Sequence, residues 1–388
     1  MNLSAVSLAG GESRRMGREP ARLERDDGPL IGRALQTGRR LQSDPPSAPR
    51  AASHARPCHT RLSCMDAFGR TIDYLRLSVT DRCNERCLYC MPEGYQGWER
   101  KPDPLTADEI VRVVRVAAGL GFRKFRLTGG EPLVRRDLPE IVRAMAATPG
   151  VECIGLSTNG TRLGALARPL RAAGLRTVNV SLDALDAGVY RRVTGGDVNA
   201  ARAGIRAAMA VGFECVKLNC VLLRGMNEAE LWPLVLFAAE HGLPLRLIEL
   251  MPLTTTEVLT EENFMPVEEA RQRIGQRDEL LPQPSHDLGW GPAKYYRLRR
   301  TGALVGFIGA MTNLHFCDTC NKMRLTADGK IRPCLGHHGE VDLRQTLRHA
   351  PDDEAVREQL LAALRQKPFE HQLRAGYQPC RPMTAIGG

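Results

Sequence analysis

KFRLTGGEPLVRRDLPEIVRAMA, residues 124–146, holds a strand, a loop and a helix in one short stretch. Lys124–Thr128 reads as a strand, TGGEP as a polar glycine turn, and Leu138–Ala146 as a helix with apolar residues at 138, 141, 142 and 145. The same unit recurs outward in both directions. Strands are predicted at Tyr74–Val79, Cys153–Thr158, Thr177–Leu182, Cys215–Val221 and Leu245–Glu249. Helices fall between them at Ala107–Ala118, with Thr106 as N-cap, and at Ala200–Val211 and Glu228–His241. Strands alternating with helices imply right-handed parallel crossovers. The strands end in the loops DRCNERC, TGGEP, TNG, SLD, LRGMN and ELMP, which suits an α/β fold of incomplete (β/α)6 TIM-like barrel type, with its active site at the carboxyl ends of the strands.

Residues 66–262 carry this rhythm, and 263–388 read as a carboxyl-terminal extension with strands at Tyr295–Arg299 and Leu304–Ile308. Residues 1–65 read as a leader whose Ser-, Pro-, Ala- and Arg-rich part from 36 onward is linker. The formal charge of +10 is unevenly placed: the first 65 residues hold eleven Arg against six Asp or Glu. The remaining excess is spread thinly, which favours a small anionic ligand over nucleic acid. No apolar run is long enough to span a bilayer, and the first ten residues are too short and polar for a signal peptide, so the expected location is the cytoplasm.

Twelve cysteines in such a chain point to metal rather than disulfides. Cys83, Cys87 and Cys90 form Cys-x3-Cys-x2-Cys after the first strand; Cys317, Cys320 and Cys334 form a second group. Three thiolates leave a zinc site one ligand short unless a distant residue completes it, but they can hold three irons of a 4Fe–4S cluster and leave the fourth open. By spacing alone the second group, with His337, also reads as a Cys3His zinc site. Cys58, Cys64, Cys153, Cys215, Cys220 and Cys380 read as buried or incidental thiols.

The first cysteine group with Tyr89 before its last member, followed by TGGEP, resembles the radical S-adenosylmethionine superfamily. From about residue 66 onward the chain resembles its GTP 3′,8-cyclases of molybdenum cofactor biosynthesis. The stretches LRLSVTDRCNERCLYCMPEG, KFRLTGGEPLVRRDL, IGLSTNG, NVSLDALD, AKYYR, CDTCNKMRLTADGKIRPCL and the final IGG carry the likeness. The resemblance implies two 4Fe–4S clusters, held by Cys83, Cys87 and Cys90 and by Cys317, Cys320 and Cys334. It implies S-adenosylmethionine lined by Tyr89, Gly130, Ser181 and Met251, and GTP gripped by Arg76, Arg126, Ser157, Lys217, Lys322, Met323 and Arg324. It implies that Gly387 and Gly388 reach into the active site, with Arg126 assisting catalysis. The implied reaction takes hydrogen from C3′ of GTP and joins that carbon to C8, giving (8S)-3′,8-cyclo-7,8-dihydroguanosine 5′-triphosphate. The implied partners are an electron donor and cyclic pyranopterin monophosphate synthase as the next enzyme.

One position departs from the family: Lys322 stands where arginine is usual, keeping the charge but losing the bidentate fork. Weaker substrate affinity is the expectation. LAGGESRRMGREPARLERDDGPLIGRAL, near the start, resembles the amino-terminal signature of molybdenum cofactor guanylyltransferases, with Pro20 where their lysine stands. A fragment this short cannot bury a core, so no transferase activity is expected of it. Two other functions fit parts of the pattern: a radical peptide-modifying enzyme with an auxiliary cluster, and a non-catalytic iron–sulfur or zinc redox sensor.

Overall fold

A computed structural model describes residues 64–91, 104–253, 260–284 and 291–388. The guanylyltransferase-like signature and Cys58 lie outside the described residues. Six parallel strands form the centre of one sheet: β1 (Tyr74–Ser78), β2 (Lys124–Thr128), β3 (Cys153–Thr158), β4 (Thr177–Ser181), β5 (Cys215–Leu222) and β6 (Leu245–Glu249). Each agrees with its predicted strand to within a residue. The helices between them are α1 (Ala107–Leu120), α2 (Leu138–Ala146), α3 (Leu163–Ala172), α4 (Ala187–Thr194), α5 (Val198–Ala210) and α6 (Leu231–Glu240). The chain thus forms the expected incomplete (β/α)6 barrel.

The periodicity that predicts α1 also buries it. Ile110, Val113, Val114 and Ala117 face the sheet, Thr106 and Glu109 form a reciprocal capping box, and Gly121 ends the helix in the left-handed conformation. The outward strand residues Leu75, Leu77, Leu127, Leu156, Val178, Leu218 and Leu247 are fully buried beneath the helices. They join one continuous core with α1, α2 and α5.

Beyond β6, α7 (Val267–Gly275) leads to a meander of β7 (Leu280–Gln283), β8 (Lys294–Leu298) and β9 (Leu304–Ile308). β9 lies parallel to β6 on one edge of the barrel sheet. The chain then crosses to the opposite edge, where β10 (Lys322–Leu325) runs parallel to β1, followed by antiparallel β11 (Lys330–Arg332) and β12 (Val341–Asp342). Three helices follow: α8 (Arg344–His349), α9 (Glu354–Arg365) and α10 (Met383–Ile386). Residues after 262 therefore extend the barrel sheet at both edges.

Candidate active site

Strand alternation sends every second side chain inward. On β1 these are Tyr74 and Arg76. The register places Arg76 between Arg126 of β2 and Arg324 of β10, and continues the row through Gly155, Thr177 and Cys215. Arg126 lies across the row, its Nε donating to the Tyr74 hydroxyl at 2.5 Å, Nη1 to the Leu156 carbonyl at 2.7 Å and Nη2 to Thr177 Oγ1 at 3.1 Å. Gly155 makes this possible: a Cβ there would stand 2.5 Å from Arg126 Nη2.

Lys217, Arg246, Lys322 and Lys367 join Arg76, Arg126 and Arg324 around a single cavity of about 690 Å³. Burial, reinforced by neighbouring guanidinium groups, pushes Arg76 down to about 10, Arg324 to about 9 and Lys217 to about 8. The same cations outweigh the upward effect of burial on Tyr74 and bring its phenol down to about 8. Arg76 Nε is buried with no hydrogen-bond partner among the described residues. Seven cations packed around one space form a receptor for a highly charged anion.

At one end of the cavity stand Cys83, Cys87 and Cys90. Cys90 and Met91 both donate their N–H groups to the Cys87 carbonyl at 3.0 Å, so two thiols share one tight turn. TGGEP braces this loop. Gly130 N–H donates to Thr80 O and Glu131 N–H to Arg82 O, each at 2.8 Å. A Cβ on Gly129 would sit 2.2 Å from Thr80 O, and one on Gly130 2.3 Å from Arg82 O. The two glycines are therefore required by loop-to-loop contact within the protein. Tyr89 donates to Asp183 Oδ2 at 2.6 Å, and Glu131 accepts from Thr158 Oγ1 at 2.7 Å and Asn159 N at 2.8 Å. Burial pushes Cys83 up to about 11, Cys90 up to about 12, and Cys87 well above its ordinary value.

At the other end, Cys320 N–H donates to Cys317 O at 3.0 Å, and Cys334 follows β11. Burial raises Cys317 and Cys334, whereas Lys367 and Lys322 outweigh it at Cys320 and lower that thiol. All six cysteines are free thiols and all line the cavity. Two sets of three free cysteines, each brought together at one end of the cavity, are the thiolate donor sets that 4Fe–4S clusters take. Among the described residues no three His, Cys, Asp or Glu side chains are grouped to hold a single metal ion. His337 does not join the second trio: its Nδ1 accepts from Gly339 N–H at 3.1 Å, and it does not line the cavity. The Cys3His arrangement read from spacing is not formed.

Arg76, Arg126, Ser157, Lys217, Lys322, Arg324, Tyr89, Gly130, Ser181, Met251 and Gly388 all line the cavity. Met323 does not. It alternates outward between Lys322 and Arg324 and is fully buried in the core, so its side chain faces away from the site. Gly387 packs against Ser78 and Thr128 and gives its carbonyl to Arg324 Nη1; the Gly388 carbonyl accepts from Arg76 Nη2 and Thr128 Oγ1. Arg246, Tyr295 and Lys367 were missed in the sequence. The two β-strand residues were legible as alternate positions of β6 and β8, whereas Lys367 follows α9 and carries no local signal.

Residues 77–238 match the Radical SAM superfamily and residues 243–373 match Molybdenum Cofactor Synthesis C. The GTP 3′,8-cyclase of Moorella thermoacetica is 46% identical over 325 residues, 83% of this chain and 99% of that protein. The GTP 3′,8-cyclase of Pelotomaculum thermopropionicum is 43% identical over 326 residues, again 83% of this chain and 99% of that one. Among solved structures, SuiB of Streptococcus suis bound to S-adenosylmethionine superposes with a TM-score of 0.53 at 15% identity, covering 75% of this chain and 69% of that one, a likeness of fold alone. With identity at this level over 83% of the chain and nearly all of each relative, and with both cysteine trios on one cavity, the chain belongs to the GTP 3′,8-cyclase family of the Radical SAM superfamily.

Proposed function

We infer that the cavity binds GTP between two 4Fe–4S clusters and cyclises it to (8S)-3′,8-cyclo-7,8-dihydroguanosine 5′-triphosphate, with S-adenosylmethionine as cosubstrate. The observation that carries this reading is the arrangement of two separate cysteine trios on one cavity with seven cations lining it. When bound, the cluster at Cys83, Cys87 and Cys90 supplies the electron that turns S-adenosylmethionine into a hydrogen-abstracting reagent. Tyr89, Gly130, Ser181 and Met251 form the wall for that cosubstrate. Arg76, Arg126, Lys217 and Arg246 receive the triphosphate, with Ser157 as an added hydroxyl donor. Cys317, Cys320 and Cys334 hold the second cluster at the opposite end, beside Lys322 and Arg324. The protein's part is positioning: cations fix the nucleotide, and the Gly387–Gly388 tail fills the barrel between β1, β2 and β10 and displaces water.

Residues 66–262 are read as the radical barrel and 263–388 as the extension carrying the second cluster. Among the described residues no helix is long and apolar enough to cross a membrane. The reading places the enzyme in the cytoplasm, drawing electrons from a separate donor and passing its product to cyclic pyranopterin monophosphate synthase. Nucleic acid is not a partner in this reading, because the excess of cations outside the leader is spread thinly along the chain.

The test is anaerobic turnover with GTP deuterated at C3′. Deuterium appears in the 5′-deoxyadenosine; unlabelled deoxyadenosine, formed at a rate indifferent to GTP, would sink the assignment. Lys217 adds a pH signature. Its ammonium, lowered to about 8 by burial and Arg246, is charged at pH 7 and loses its proton as pH rises through 8. KM for GTP therefore rises between pH 7 and pH 9, and Lys217→Met flattens that rise while starting from a higher KM. Gly155→Val tests the Arg126 seat: the added side chain displaces the guanidinium, and KM increases about tenfold to a hundredfold, as expected for lost hydrogen bonds to a charged group. Circular dichroism checks that the fold persists.

A further inference from the structure

The two cysteine trios share a cavity, yet cations crowd the second far more than the first. Glu85, Glu131 and Asp183, all pushed up by burial, stand by Cys83 and Cys87 together with a single cation, Arg86. Arg70, Lys322, Arg324 and Lys367 stand by Cys317, Cys320 and Cys334. Three of these four cations have other tasks. Arg70 pairs with Asp66 at 2.6 Å, Arg324 holds the Gly387 carbonyl, and Lys322 reaches Asn321 Oδ1 at 2.7 Å beside the Tyr74 ring.

Lys367 is different. It is 4% exposed and has no carboxylate partner among the described residues. Its ammonium donates to the Lys322 carbonyl and to the Pro333 carbonyl, both at 2.8 Å. Lys322 is two residues past Cys320, and Pro333 immediately precedes Cys334, so one side chain ties together the two segments that carry the second trio. Two of its three N–H donors are spent on these carbonyls. Burying an ammonium without a counter-ion is costly unless an anion completes the site. A 4Fe–4S core with three thiolates is that anion: it carries one net negative charge when oxidised and two when reduced.

Resting on the two-cluster reading above, we propose that Lys367 is the positioning residue of the second cluster, clamping its two ligand-bearing segments and making it easier to reduce than the cluster at Cys83, Cys87 and Cys90. The reduction adds one electron to the cluster and breaks no bond. A nearby fixed positive charge stabilises the doubly negative reduced form more than the singly negative oxidised form, which raises the potential.

The experiment is a mediator-buffered dithionite titration of the reconstituted full chain, followed by electron paramagnetic resonance and iron analysis. Wild type, Lys367→Met, Lys367→Gln and Lys367→Arg are compared. Wild type holds about eight irons per chain, and the second-site signal appears at the higher potential. In Lys367→Met and Lys367→Gln its reduced-to-oxidised ratio at fixed potential falls about tenfold, a shift of about 59 mV for one electron, while the first-site signal stays in place and Lys367→Arg stays near wild type. Eight irons with an unmoved second-site signal in both neutral variants would overturn the proposal. So would loss of second-site iron in both, which would make Lys367 a scaffold residue only. Four irons in the wild type would instead defeat the two-cluster reading on which it stands.

Discussion

Cys87→Ala abolishes 5′-deoxyadenosine formation, whereas Cys320→Ala leaves deoxyadenosine formation measurable and stops GTP conversion. The difference follows from the two ends of the cavity. Cys87 anchors the turn on which Cys90 also sits, and its carbonyl accepts from both Cys90 and Met91. In the proposed reading, removing its thiol takes away one of the three ligands of the cluster that reduces S-adenosylmethionine. Cys320 lies at the far end, beside Lys322 and Lys367. Each variant should drop from about eight irons to about four, and chromatography of an anaerobic reaction reads both products. Equal loss of deoxyadenosine in the two variants would show that the ends do not act separately.

Deletion of Gly387 and Gly388 lowers turnover at least about a hundredfold, the scale expected from losing two charge-assisted hydrogen bonds and one from a hydroxyl at once. Arg76, Thr128 and Arg324 all donate to the two glycine carbonyls. Without the tail the Arg76 and Arg324 guanidinium groups are free to point elsewhere, and water enters between β1 and β10. Gly387→Ala should cost nearly as much. Gly387 has φ +90, and an added Cβ would stand 2.9 Å from Ser78 Cβ and 3.1 Å from Thr128 Cγ2, so a substituted tail cannot seat. Steady-state kinetics and iron content together check this: a tail that merely frays would leave both unchanged, and lost iron would mean that the tail holds the clusters instead of the nucleotide.

The central strands were legible because each is a short apolar run ending in a polar loop, and burial beneath the helices enforces that pattern. α3 escaped because it lacks a side-chain N-cap and carries Pro169 within it, and α4 because AGVYRRVT presents only Tyr190, Val193 and Thr194 to the interior. The cysteine trios were visible as spacing. Their environment was not, since Lys367 lies more than thirty residues beyond Cys334 and Asp183 reaches the first trio only through the barrel's curvature. The stretch Lys322–Arg324 is divided by strand alternation: Lys322 and Arg324 face the cavity, and the Met323 side chain faces the core. The role of TGGEP was legible only in part: its glycines are dictated first by the carbonyls of Thr80 and Arg82.

The pairing of β1 with β10 has a consequence for biogenesis. Tyr74 finds its partner Lys322 about 250 positions later in the chain. At about 5–20 residues per second, a ribosome leaves that edge of β1 unpaired for roughly 10–50 s after synthesising it. The first trio thus emerges well before the wall that will enclose it, and the contact order of the finished barrel is high. In the two-cluster reading, iron delivery to the first loop has a long window during translation. The second trio, spread across the strands that close the same edge, is completed only when the barrel itself is.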